Sequence, residues 1–164
     1  MWDKAKDFIQ RAFTVIFVST LVIWFLQTFD MRFNVVTDSG ESLLAMIGKL
    51  IAPLFIPLGF GDWRAATALI GGFTAKEAVV STLGVLTGST MANLSETLGQ
   101  IFTPVSAVSF LVFTLLYTPC VAAVATIKRE LGSTLKTLGV VCMQCGVAWF
   151  VSCVVYQILR LVGA

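Results

Sequence analysis

The sequence predicts an all-α, polytopic membrane protein with broken or re-entrant helices, and three observations lead there. Of its 164 residues, 57% are hydrophobic and only 12% are charged, whereas soluble domains carry about 25% charged residues. Mean hydropathy is +0.92. Val105 to Ile127 and Leu138 to Leu159 carry no charge, and each reaches the roughly 20 residues that a helix needs to span a bilayer. The other apolar runs are interrupted by glycine, proline or charge, which predicts helices broken at membrane depth.

The same composition excludes several function classes. A net charge of +2, with no basic run interleaved with aromatics, leaves nucleic acid out as a partner. The chain has no histidine, so it lacks the commonest neutral-pH proton shuttle and nitrogen ligand, and no Ser/His/Asp or Cys/His hydrolytic set is possible. No phosphate-binding glycine loop is present either, and an enzyme is not expected. The four cysteines, Cys120, Cys142, Cys145 and Cys153, lie in apolar surroundings, which predicts free thiols and not a secreted disulfide framework.

In chain order, residues 1–11 place Trp2, Ala5, Phe8 and Ile9 near one helical face, an interfacial amphipathic helix leading into the membrane. The expected membrane domain then covers 12–162. Its first span runs over about 12–29, and with no small-x-small site after Leu26 it should remain as an anchor. Asp38 to Glu41 offers cap chemistry before Leu43. Segment 43–60 contains Lys49, Pro53 and Pro57, and segment 65–86 contains Gly71, Gly72, Lys76 and Glu77, so both are expected to be broken or re-entrant. Asn93 and Glu96 repeat a capping spacing before a short amphipathic helix. Thr103-Pro104 is a cap followed by proline in the first turn, opening a span over about 105–127. Gly132 with Ser133-Thr134 stops one helix and starts the next, whose span is about 138–161. With a cytoplasmic amino terminus, Lys4, Lys6, Arg11, Lys128, Arg129 and Lys136 fall inside, against Arg32 and Arg160 outside. Five spans, or three spans with two hairpins, preserve that parity equally.

Two interruptions carry the candidate chemistry. Thr74 and Glu77 have the spacing of a capping box, which predicts a half-helix starting at Thr74 within the hydrophobic run, as in a transport pathway. Lys76 and Glu77 project about 100° apart, so each needs its own partner, with Lys49 or Arg64 available to Glu77. Pro119 removes a helical hydrogen bond and frees the carbonyl of Leu115, gathering the Thr118 hydroxyl, the Cys120 thiol and that carbonyl at one kink. Such a cluster suits a borderline-soft transition metal. Cys142 and Cys145 form a Cys-x-x-Cys, open to thiol redox chemistry. They stand beside a narrow stripe of Gly139, Cys142, Gly146, Trp149 and Cys153, a small-residue face that fits close helix packing.

Gly71 to Val80, Leu115 to Ala122, Ile127 to Glu130 and Pro57 to Arg64 together resemble the second Gate region of FeoB-type ferrous iron transporters. The resemblance covers essentially the whole chain. It implies a bacterial inner-membrane permease with ferrous iron as the transported ion and no bound cofactor, and with Cys120 lining the iron pathway. Thr118 and Glu77 are the further candidate pathway ligands, followed by Cys142, Cys145 and Lys76. It also implies partners beyond the lipid bilayer: the remainder of a transporter with a GTP-binding domain and a first Gate region, and a possible homo-oligomer. Alternatives are a solute permease of nucleoside-transporter type, a membrane thiol-redox protein using Cys142 and Cys145, and a packing module.

Overall fold

The computed structural model describes residues 2–32, 34–36, 39–74, 76, 78–88, 93–117 and 120–162. Helix α1 (Trp2–Thr28) is unbroken, so the amphipathic lead-in and the first apolar segment are one rod. Thr14, Thr20 and Thr28 donate their hydroxyls to the carbonyls four residues back, which satisfies them within the helix while Phe13, Phe17, Leu21 and Trp24 face outward. A short connection closes on itself through the Phe29–Val35 bridge.

Helix α2 (Leu43–Ile51) is capped by Ser42, whose Oγ accepts from the Ala45 N–H. That is one residue past the stretch expected to cap it. The chain then tightens into a 3-10 helix, Ala52–Leu58, and stops at Gly59 with φ 84°. Prolines at 53 and 57 explain the tightening, because neither can donate to an α-helical ladder. Asp62 caps α3 (Trp63–Gly71) by accepting from the Arg64 N–H at 2.7 Å, and α3 turns 107° away from the preceding arm. Close approach is set at Gly48, where a Cβ would collide with the Thr67 hydroxyl of α3.

Helices α4 (Ala78–Thr87), α5 (Leu94–Ile101), α6 (Pro104–Leu116), α7 (Val121–Leu131) and α8 (Thr134–Val162) complete the described chain. The Thr103-Pro104 start and the Gly132 stop, with φ 60°, fall where the sequence puts them. Asn93 precedes α5, but its side chain makes no capping bond. The core is aromatic: Phe55, Phe60, Phe110, Phe113 and Tyr117 meet at ring separations of 5.2 to 5.9 Å, packed against Ala65, Ala68 and Leu69 of α3. Such offset and edge-on pairs add to plain area burial.

Around that core the outer surface is apolar. Leu135, Leu138, Met143, Val147, Phe150 and Leu161 of α8 all point outward. Among the described residues, Pro104–Leu131 and Thr134–Val162 are long and apolar enough to cross a membrane, and the bent pair Leu43–Leu58 with Trp63–Gly71 makes a third if counted as one span. Phe13–Thr28 and Ala78–Thr87 are shorter apolar helices. At its glycines the stripe on α8 does not make the expected close contact: a Cβ at Gly139 or Gly146 would meet nothing within 4 Å. Packing of α8 uses Trp149 and Cys153 of that stripe, which lie against the core, together with Ala148 and with Ser152, whose carbonyl accepts from Ser109.

Candidate functional site: two helix breaks that cross

Both interruptions singled out in the sequence are breaks, and they touch. The first separates α3, ending at Gly71, from α4, beginning at Ala78. The helix start expected at Thr74 lies four residues too early. Thr74 turns its hydroxyl back to the Gly71 carbonyl at 2.8 Å, closing the helix behind it and not capping the one ahead. Glu77, its expected capping partner, lies outside the described residues. The second break separates α6, ending at Leu116, from α7, which begins at Val121 with Cys120 as its N-terminal flanking residue. Thr118 and Pro119 also lie outside the described residues.

Four hydrogen bonds lock the breaks together. The Val121 N–H donates to the Phe73 carbonyl at 2.9 Å. The Tyr117 hydroxyl donates to the Leu69 carbonyl at 3.2 Å, in the last turn of α3. Lys76 sends its ammonium to the carbonyls of Leu115 and Tyr117, each at 3.1 Å, and lies 5.2 Å from the Tyr117 ring centroid. The Leu115 carbonyl, expected to be freed by Pro119, is thus found with a cation on it. Gly72 makes the crossing possible, since a Cβ there would strike the Val79 methyl and stand 2.9 Å from the Tyr117 hydroxyl.

Glu77, and with it the expected pairing to Lys49 or Arg64, lies outside the described residues. Lys49 donates to the Gly40 carbonyl at 2.7 Å, and both Lys49 and Arg64 sit against the Trp63 ring, at 5.2 and 5.5 Å. Cys120 is a free, partly exposed thiol at the crossing. Cys142 and Cys145 are not joined in a disulfide, and they face different surroundings. Cys142 is exposed, while Cys145 lines an apolar groove of about 660 Å³ with Leu54, Phe73, Tyr117 and Trp149. Cys153 approaches the Pro57 carbonyl at 3.8 Å. Among the described residues, no three Cys, Asp or Glu side chains converge as a metal cage would require. Sequence reasoning missed Tyr117 as the pin between the breaks. Its position two residues before a helix-breaking proline was the available signal.

What the arrangement can do chemically follows from the groups exposed at the breaks. Carbonyls at a helix C-terminus carry partial negative charge, and unwound backbone at membrane depth is where cations exchange water for protein oxygen. A thiol next to them adds softness.

The Gate family, described as nucleoside recognition, matches residues 9–134. The chain is 40% identical over 138 residues to the Fe(2+) transporter FeoB of Methanocaldococcus jannaschii, an alignment covering 80% of this chain and 20% of that protein. It is 38% identical over 157 residues to the Fe(2+) transporter FeoB of Staphylococcus aureus (strain COL), covering 96% and 24%. Against the Fe(2+) transporter FeoB of Campylobacter jejuni it is 31% identical over 174 residues, covering 98% and 28%. The chain therefore spans only about a fifth to a quarter of the length of these curated relatives. No solved structure matches it. The family match runs through both helix breaks and most of the chain, which belongs to the Gate family.

Proposed function

We propose that this chain is membrane-permease part of a ferrous iron transporter, and that iron passes the crossing of the two breaks. The observation that carries the reading is the crossing itself: the α6 carbonyl end, a free thiol at Cys120 and an unwound segment joined at one point. Support comes from relatives named Fe(2+) transporter, aligned over most of this chain. Cys120, Thr118 and Glu77 serve as transient ligands, the thiol favouring a transition metal over magnesium or calcium. The chain works with the rest of a larger protein, including a GTP-binding domain and a first Gate region. It sits in the bacterial inner membrane with its amino terminus in the cytoplasm, the side favoured by its lysines and arginines.

Two rival readings have less support. The family description names nucleosides, yet the groove beside the crossing is lined by apolar side chains such as Leu54, Phe73 and Trp149, which offer a ribose little to bond. A thiol-redox pair at Cys142 and Cys145 would join one exposed thiol to one facing that groove.

The test is anaerobic ferrous iron uptake in cells lacking their own ferrous transporter, with the chain co-expressed with the amino-terminal portion of the transporter. Cys120→Ser should lower uptake by about tenfold or more at equal protein level, the scale on which loss of a metal-site group is felt. Uptake indifferent to Cys120→Ser removes the thiol from the pathway and returns Cys120 to packing.

A further inference from the structure

The Lys76 ammonium is unusually well held for a lysine on a connection. It has three protons to donate. Two go to the Leu115 and Tyr117 carbonyls at 3.1 Å, and the ammonium stands 5.2 Å from the Tyr117 ring centroid. The Leu115 carbonyl belongs to the last turn of α6 and the Tyr117 carbonyl to the cap residue that follows it, where the helix leaves its acceptors unpaired and its dipole is negative. Lys49 and Arg64 are drawn off to Trp63. The negative end of α6 is therefore a cation site, and in this structure its cation is a side chain.

A dehydrated metal ion passing Cys120, which flanks the start of α7, would seek the same oxygens. Two positive charges a few ångströms apart in a low-dielectric interior repel strongly, so the ammonium and the ion cannot hold these carbonyls together. Lys76 can move without unwinding a helix, because it lies between α3 and α4. We infer that Lys76 is a tethered cation that fills the α6 carbonyl site at rest and is displaced by the incoming divalent ion. It thereby closes the pathway when no iron is present and raises the iron concentration needed to open it. This rests on the pathway reading given above, and it assigns to Lys76 the role of a positioning and gating residue, not of a ligand.

The experiment measures the iron dependence of anaerobic uptake for wild type, Lys76→Gln and Cys120→Ser, each co-expressed with the amino-terminal portion and compared at equal protein level. Removing the competing charge should lower the half-saturating ferrous concentration by roughly tenfold in Lys76→Gln. A lysine that only caps α6 would cost protein level or maximal rate and leave half-saturation where it was. Half-saturation unchanged or raised in Lys76→Gln, with Cys120→Ser still defective, overturns the displacement and spares the pathway. A Cys120→Ser protein with wild-type uptake overturns the pathway reading and the displacement with it. If Lys76→Gln does not accumulate, wild type alone decides the matter. Ferrous iron, and not magnesium, should increase acylation of Lys76 by a membrane-permeant amine reagent, read by mass spectrometry, because a displaced ammonium loses its carbonyl partners. No increase overturns the proposal.

Discussion

Gly72 shows how little room the crossing leaves. A methyl group there meets the Val79 side chain and the Tyr117 hydroxyl, and Tyr117 is the residue whose hydroxyl ties α6 to α3. Gly72→Ala should therefore destabilise the chain by about 1–3 kcal/mol, the usual cost of overpacking. Denaturant unfolding in detergent micelles measures it, with Gly139→Ala as a control that meets nothing. At this scale the sequence was informative about chemistry and poor about partners. The freed carbonyl of Leu115 was legible from Pro119, because a proline always withholds its N–H. That Lys76 would be what reaches it was not legible, since the two lie 39 residues apart and only the crossing brings them together. Thr74 was misread for a related reason: a threonine hydroxyl can serve the helix behind as well as the helix ahead, and local spacing does not distinguish them.

Helices with strong punctuation were legible as elements. Thr103-Pro104 starts α6 and Gly132 ends α7 as read. The α8 stripe was legible only in part: Trp149 and Cys153 pack inward while a Cβ at Gly139 or Gly146 meets nothing, because periodicity reports which residues share a face and not what each of them meets. Besides α6, α8 meets the 3-10 helix. In a 3-10 ladder the N–H of residue 57 would bond the carbonyl of residue 54, but Pro57 has no N–H. The Trp149 indole donates to that orphaned Leu54 carbonyl at 3.0 Å, and Tyr156 lies so close over Gly59 that any Cβ there would strike its ring. Trp149→Phe keeps most of the apolar contact and removes the donor. It should cost about 1–3 kcal/mol, the penalty for leaving a desolvated carbonyl without a partner. A loss of that size in an unfolding titration checks the account, and a change below about 0.5 kcal/mol, within ordinary surface-substitution scatter, would refute it.

For the whole molecule, the open question from sequence was whether segments 43–60 and 65–86 cross the bilayer or turn back within it. Lys49 bears on the answer. Its ammonium donates to Gly40, just before α2, and also lies against Trp63, the first residue of α3. One side chain therefore links the two ends of segment 43–62, and α3 leaves that segment at 107° to it. A segment crossing the bilayer would hold its ends about 30 Å apart, farther than a lysine reaches. The expected path is re-entrant: α2 and the 3-10 helix enter from the face where α1 leaves the membrane and return to it at Trp63. By the same parity α3 and α4 enter and return, putting the Lys76 break at depth against the middle of the α6–α7 span. Three single-cysteine proteins in an otherwise cysteine-free chain test this with a membrane-impermeant maleimide. Arg64→Cys should be labelled from the same face as Asn34→Cys, and Arg129→Cys from the opposite face. Labelling of Arg64→Cys together with Arg129→Cys would instead mean that 43–60 crosses, and would move the crossing of the breaks away from the bilayer centre.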